Sequence, residues 1–129
     1  MDDIDWGHLL FGFSGRINRA KFWAGMVLQY AIFFATVAVA FAVNDPIAFW
    51  AAGIVNLVTI LMWVAISIKR WHDRGKSGWW MLIALVPVIG YLWMLIETGF
   101  LAGDTGPNDY GPDPLVATPT APATPDASE

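Results

Sequence analysis

The chain has 129 residues, of which 57% are hydrophobic and 14% charged, and it carries a net charge of -4. One compact unit fits that length. A soluble domain usually has about a quarter charged residues, so the composition excludes an ordinary water-solvated domain and indicates a chain bathed largely in lipid. With no cysteine, disulfides and thiolate metal sites are excluded as well.

The start, Met1-Asp2-Asp3-Ile4-Asp5, is acidic where a cleavable signal peptide needs basic residues. Trp6, Leu9, Leu10, Phe13 and Ile17 then recur at spacings of three and four. That periodicity predicts a short interfacial helix over 6–17, although Gly7, Gly12 and Gly15 weaken it. His8 lies among these apolar residues with no cluster of ligand-type residues nearby, and is expected to be a plain interfacial histidine.

Arg16, Arg19 and Lys21 precede the first long apolar run, Phe22 to Val43, which has no charge. At 1.5 Å per residue this run spans about 33 Å, enough to cross the hydrocarbon core of a bilayer. Asn44-Asp45-Pro46 is a tight turn in which either Asn44 or Asp45 can cap the next helix, with Pro46 in its first turn. A second uncharged run, Ile47 to Ile68, follows. Asn56 sits near its middle, where an amide facing lipid is costly, so it is expected to bond another helix or a partner subunit.

Between this run and the next lies the stretch from Lys69 to Trp80. It holds four of the seven basic residues, His72, and three of the eight tryptophans, and it reads as a water-facing hinge. The helix is expected to continue through Arg70 and Asp73, which can pair on one face, and to end at a left-handed Gly75. Ser77 can cap the third helix. The third run, Trp79 to Leu101, contains Pro87, Gly90 and Glu97. One tilted, kinked span is the first expectation; a re-entrant hairpin broken at Pro87–Gly90 is the rival. Gly103 to Pro114 is turn-rich, and the Ala-, Thr- and Pro-rich remainder is expected to be disordered.

The fold expectation is therefore an all-α polytopic membrane protein of three transmembrane helices. Its parts are an interfacial segment (1–21), a helical membrane domain (22–101), a loop motif (102–114) and a tail (115–129). Every Lys and Arg lies at 16–21 or 69–76, and the 44–46 turn has none. The positive-inside rule then puts the N-terminus and the 69–78 loop in the cytoplasm, against anionic headgroups. A single third span leaves the tail outside; a re-entrant one returns it to the cytoplasm.

Four stretches taken together resemble a bacterial inner-membrane family known as domain of unknown function 805. They are Phe13 through Trp23, Arg70 through Trp80, Pro87-Val88-Ile89-Gly90, and Gly103 through Pro114. Lys69 and Trp71 depart from the Arg and Leu usual in that pattern, and Asp109 stands where a basic residue is common. The resemblance implies a small polytopic membrane protein and brings no activity, cofactor or catalytic residue. It also implies that the hinge and the Gly103–Pro114 loop act together; if they touch, both lie on one side and the re-entrant form is favoured.

The residues that can carry function are Arg16, Arg19, Arg70, His72, Asp73, Ser77, Trp79, Glu97, Asn108 and Tyr110. His72 and Asp73 offer too few ligands for a hydrolytic metal site, so no metal, cofactor or catalytic group is expected. No Walker A, Rossmann, nucleophile-elbow or HExxH pattern occurs, and the small basic patch on an acidic chain argues against nucleic acid. The first expectation is a non-enzymatic component that assembles with itself or with a larger membrane complex. A small transporter or channel component with a polar path through Asn56, Glu97 and His72 is the second, and an enzyme acting on lipid headgroups through His72 and Asp73 the third.

Overall fold

The structure is a computed structural model that describes residues 4–116, and the disorder expected beyond residue 116 lies outside it. Its described residues form helices and turns, with one isolated bridge between Asn108 and Gly111 and no strand. Helix α1 covers Trp6–Phe11, capped by the Asp5 carboxylate, which accepts from the His8 amide (3.1 Å). It is shorter than the spacing predicts. After Phe11 the chain turns at Gly12 and reaches a left-handed Gly15, so Phe13 and Ile17 do not extend the helical stripe.

Helix α2 (Arg19–Val43) and helix α3 (Pro46–Asp73) form an antiparallel pair joined at Asn44-Asp45. The two turn residues divide the work. Asn44 takes the left-handed conformation that closes α2, while the Asp45 carboxylate caps α3 by accepting from the Ile47 amide (2.8 Å). At 1.5 Å per residue these helices are about 37 and 42 Å long, sufficient to span a bilayer. Their apolar side chains point outward: Phe41 is 69% exposed and Trp50 76%. A soluble bundle buries such residues, and a continuous apolar surface of this extent fits acyl chains. In mid-span the Thr36 hydroxyl donates to the Asn56 side-chain oxygen (3.3 Å), the interhelical bond expected of Asn56.

The third apolar run does not form one continuous helix. A 3-10 helix (Gly78–Leu85), capped by Ser77, leads to a break at Val86-Pro87-Val88; helix α4 (Ile89–Leu95) and a π-helical turn (Ile96–Phe100) then lead back. The first arm packs on the end of α3, and the second lies against the start of α2, where the Trp23 indole donates to the Gly99 carbonyl (2.8 Å). Both ends of the run thus meet the same end of α3. At the tip, the amides of Val86, Ile89, Gly90 and Leu92 bond to carbonyls within the tip itself. Pro87 forces the break because it has no N–H and excludes a helical residue before it.

Two tip residues carry the geometry with opposite costs. Val88 has φ +62° and ψ -64°, a conformation that strains a β-branched residue by about 1–3 kcal/mol. Gly90 packs so closely that a Cβ there collides with the Ile83 carbonyl oxygen. Val88→Gly is therefore expected to raise the stability of the reconstituted protein by about 1 kcal/mol, and Gly90→Ala to lower it by about 1–3 kcal/mol. Reversible unfolding in mixed micelles measures both.

Candidate functional site

Arg16, in the link between α1 and α2, and Arg70 and Asp73, in the last turn of α3, form the centre of a buried polar knot. At the end of the long apolar helix α3, Arg70 and Asp73, three residues apart, share a face. Arg16 Nε donates to Asp73 Oδ1 (3.1 Å), and Arg70 donates to Asp73 Oδ2. Neither guanidinium reaches water: the Arg16 side chain is 1% exposed and that of Arg70 0%.

The remaining donors of both arginines hold the returning chain. Arg16 Nη2 bonds the Asp104 carbonyl (2.6 Å), and its Nη1 bonds those of Gly106 (2.7 Å) and Gly111 (3.2 Å). Arg70 Nε bonds the Thr98 carbonyl (2.6 Å) and its Nη2 that of Leu101. The planar five-donor fork of arginine suits this role; a lysine has three donors on a point charge. Gly103 passes so close to Asp73 that a Cβ there meets the carboxylate.

The loop motif closes over the hinge. The Asp104 amide donates to the Asp73 carbonyl (2.6 Å), and Asn108 Nδ2 donates to the His72 carbonyl (2.8 Å) and to Asp104 Oδ2 (3.0 Å). His72 is fixed from two sides. Its Nδ1–H donates to the Gly15 carbonyl (2.9 Å), and the Tyr110 ring stacks on it with centroids 4.0 Å apart and planes 3° from parallel. The hinge and the Gly103–Pro114 loop therefore touch.

A second cluster sits beside the first. Glu97 accepts from Arg74 Nε (2.9 Å) and Lys76 Nζ (2.6 Å), so the acid inside the third run is neutralised by cations of the hinge. Lys76 also lies over the stacked rings of Trp71 and Trp80. Arg19 bonds the Phe100 carbonyl (2.9 Å) and extends the contact to the start of α2.

Of the residues singled out from sequence, Arg16, Arg70, His72, Asp73, Asn108 and Tyr110 converge in the knot, with Glu97 and Arg19 at its edge. Trp79 does not join them: it is 78% exposed, and Trp80 makes the aromatic contact instead. Ser77 serves as a helix cap. Lys69 is the residue that sequence reasoning undervalued. Fully buried, its ammonium donates to the carbonyls of His8 (2.6 Å), Leu9 (2.7 Å) and Gly12 (2.5 Å), pinning the C-terminal end of α1 to α3. The signal was a basic residue directly after an apolar run and one before Arg70, which alone reads as an interfacial charge. Among the described residues no three His, Asp or Glu side chains converge to hold a metal ion.

Removing the charge of Asp73 leaves two buried guanidiniums facing each other. Asp73→Asn is expected to destabilise the protein by about 3–5 kcal/mol, while Asn108→Ala costs about 1–3 kcal/mol. Unfolding in mixed micelles distinguishes these losses.

The family described as "Protein of unknown function (DUF805)" matches residues 10–112. "Inner membrane protein YhaH" of Escherichia coli (strain K12) is 35% identical over 113 residues, covering 81% of this chain and 88% of that protein. "Inner membrane protein YhaI" of the same strain is 35% identical over 103 residues, covering 80% and 86%. "Uncharacterized protein YiiR", also from that strain, is 32% identical over 130 residues, covering 81% and 86%. No solved structure matches significantly.

Proposed function

This chain belongs to the DUF805 family, and we propose that it is a non-enzymatic structural or interaction component of the bacterial inner membrane. The observation that carries this reading is the mutual saturation of the polar knot. Arg16, Arg70, Asp73 and Asn108 direct their hydrogen bonds at one another and at backbone carbonyls. A catalytic centre needs groups free to engage a substrate, whereas this arrangement clamps the chain.

In the proposed topology α2 and α3 cross the bilayer and the third run re-enters from the cytoplasmic side. Arm lengths support this: eight 3-10 residues rise about 16 Å, and twelve residues from Ile89 to Phe100 about 18 Å, each near half of the hydrocarbon core. The hydroxyls of Tyr30 and Tyr91, 3.5 Å apart, are consistent with a hairpin tip near mid-depth of α2. Because all the cations lie at the knot end, that end is assigned to the cytoplasm. The loop motif and residue 116 then share that side.

Assembly follows from what the hairpin leaves uncovered. Over the outer half of the bilayer only α2 and α3 remain. A groove of about 300 Å³ runs between them, lined by Ala35, Thr36, Ala40, Ala48, Ala51 and Ala52. Small residues of this kind permit close helix approach. The second reading, transport along Asn56, Glu97 and His72, receives less support: Glu97 is bound by Arg74 and Lys76, and His72 is held by Gly15 and Tyr110.

A C-terminal reporter read from both sides of the membrane is expected to be cytoplasmic; an external signal restores the single third span. In mild detergent and in native membranes the protein is expected to run as an oligomer or a larger complex, and a strict monomer in both ends the assembly reading.

A further inference from the structure

The polar knot consumes most of the cations at its end of the molecule, but not all of them. Beside it lies a cavity of about 510 Å³, above the roughly 300 Å³ at which small-ligand clefts begin. Its lining includes His8, Lys21, Arg16, Tyr110, Leu115 and Val116. Arg16 is committed to the knot. The His8 imidazole, the Lys21 ammonium and the Tyr110 hydroxyl have no hydrogen-bond partner among the described residues: His8 and Tyr110 are bonded through their backbones, and Lys21 through its amide to the Asn18 cap.

The electrostatics of this wall favour an anion. The first turn of α2 holds Arg19 and Lys21 and no acidic residue. Helix N-termini carry about half a positive charge, so each cation there is unfavourable by about 0.3–1 kcal/mol until a negative group sits alongside. Asp113, the acid in the lining, has both oxygens occupied by the amides of Leu115 and Gly106 (2.9 Å each). Those bonds hold its carboxyl below the usual carboxylate range. Asp113 therefore stays ionised and opposes an anion from the loop side, but its oxygens are taken up by loop amides and do not pair with Lys21, His8 or Tyr110. On the loop side Leu115 and Val116 are apolar and exposed. A cationic donor beside exposed apolar side chains matches an amphiphile whose headgroup is anionic.

We propose that this cavity binds a phosphate group, with the Lys21 ammonium as its cationic donor and the His8 imidazole and Tyr110 hydroxyl as further hydrogen-bond donors. The position at the end of the two long helices makes an anionic lipid of the cytoplasmic leaflet the source that fits, which rests on the topology proposed above. Free phosphate from the cytosol is the same chemistry from a second source. Tyr110 links the cavity to the knot, since the ring that presents the hydroxyl also stacks on His72. An occupied cavity thereby holds the loop motif against the hinge.

The full chain, purified in neutral detergent with phosphatidylcholine and phosphatidylglycerol, is examined by native mass spectrometry. Retention of phosphatidylglycerol over phosphatidylcholine is expected. It should fall roughly fivefold in Lys21→Gln, the loss of one cation near the surface, and further in the double variant with His8→Gln, with thermal unfolding unchanged. Arg19→Gln makes the same charge change outside this cavity and is expected to retain the lipid. Competition by inorganic phosphate identifies the cytosolic source. Equal retention of the two lipids with no effect of phosphate, or an equal loss in Arg19→Gln and Lys21→Gln, overturns the proposal. The measurement is independent of membrane side. Labelling of Ser14→Cys only from outside the cell therefore sinks the topology while leaving the binding result to stand.

Discussion

Two guanidiniums share one carboxylate at the base of this protein, and the rest of the structure follows from how that excess charge is dissolved. Arg16, Arg70 and Asp73 together carry a net positive charge in a site closed to water. Five backbone carbonyls absorb it, those of Thr98, Leu101, Asp104, Gly106 and Gly111. A buried charge is tolerable only when its hydrogen-bonding capacity is met. Because these carbonyls belong to the end of the third apolar run and the loop that follows it, that stretch has to come back to the arginines. The charge balance thereby ties the chain into a closed loop.

The same need for satisfied polar groups explains the hairpin. Had the third run continued as a single helix away from the knot, Thr98 and Leu101 would lie far from Arg70, and Glu97 far from Arg74 and Lys76. Instead Pro87 breaks the helix, Gly90 allows the arms to approach, and Val88 absorbs the strain of the turn. The tip bonds its own amides locally, which offsets the helical bonds lost at the break. Lys69 repeats the principle on the opposite side, where an ammonium spends three donors on carbonyls near the end of α1. The end of α1, the end of the third run and the loop motif are thus held to the long helices by basic side chains acting on backbone oxygen, a way of fixing geometry that needs little apolar core.

That economy suits a chain whose apolar surface faces outward. The one buried apolar cluster described here is small, built on Leu9, Ile17, Phe22, Met26 and Ile66. It lies directly beside the knot, so packing and polar bonding reinforce each other at one end while the far end of α2 and α3 stays a bare pair. An asymmetry of this kind separates the part that sets the fold from the part open to neighbours.

The two long apolar runs, the Asn44–Pro46 turn that caps the second of them and the pairing of Arg70 with Asp73 were legible in the residues, because each depends on neighbours close in sequence. Apolar runs of this length have one ready solvent, and an Asn-Asp-Pro turn admits few conformations. The family resemblance suggested only that the hinge and the Gly103–Pro114 loop act together; the grouping of Arg16 with Asp73, of His72 with Tyr110 and of Glu97 with Lys76 could not be derived from spacing, since the partners stand 57, 38 and 21 positions apart. Trp79 and Trp80 are equally plausible from their letters; only the turn at Gly78 decides which ring meets Trp71. The role of Lys69 was hidden for the same reason, as its carbonyl partners exist only once α1 ends at Phe11. Local chemistry determined where the chain is apolar and where it turns. The tertiary structure alone decided which buried charges meet, because the cost of an unpaired charge is settled by groups far away along the chain.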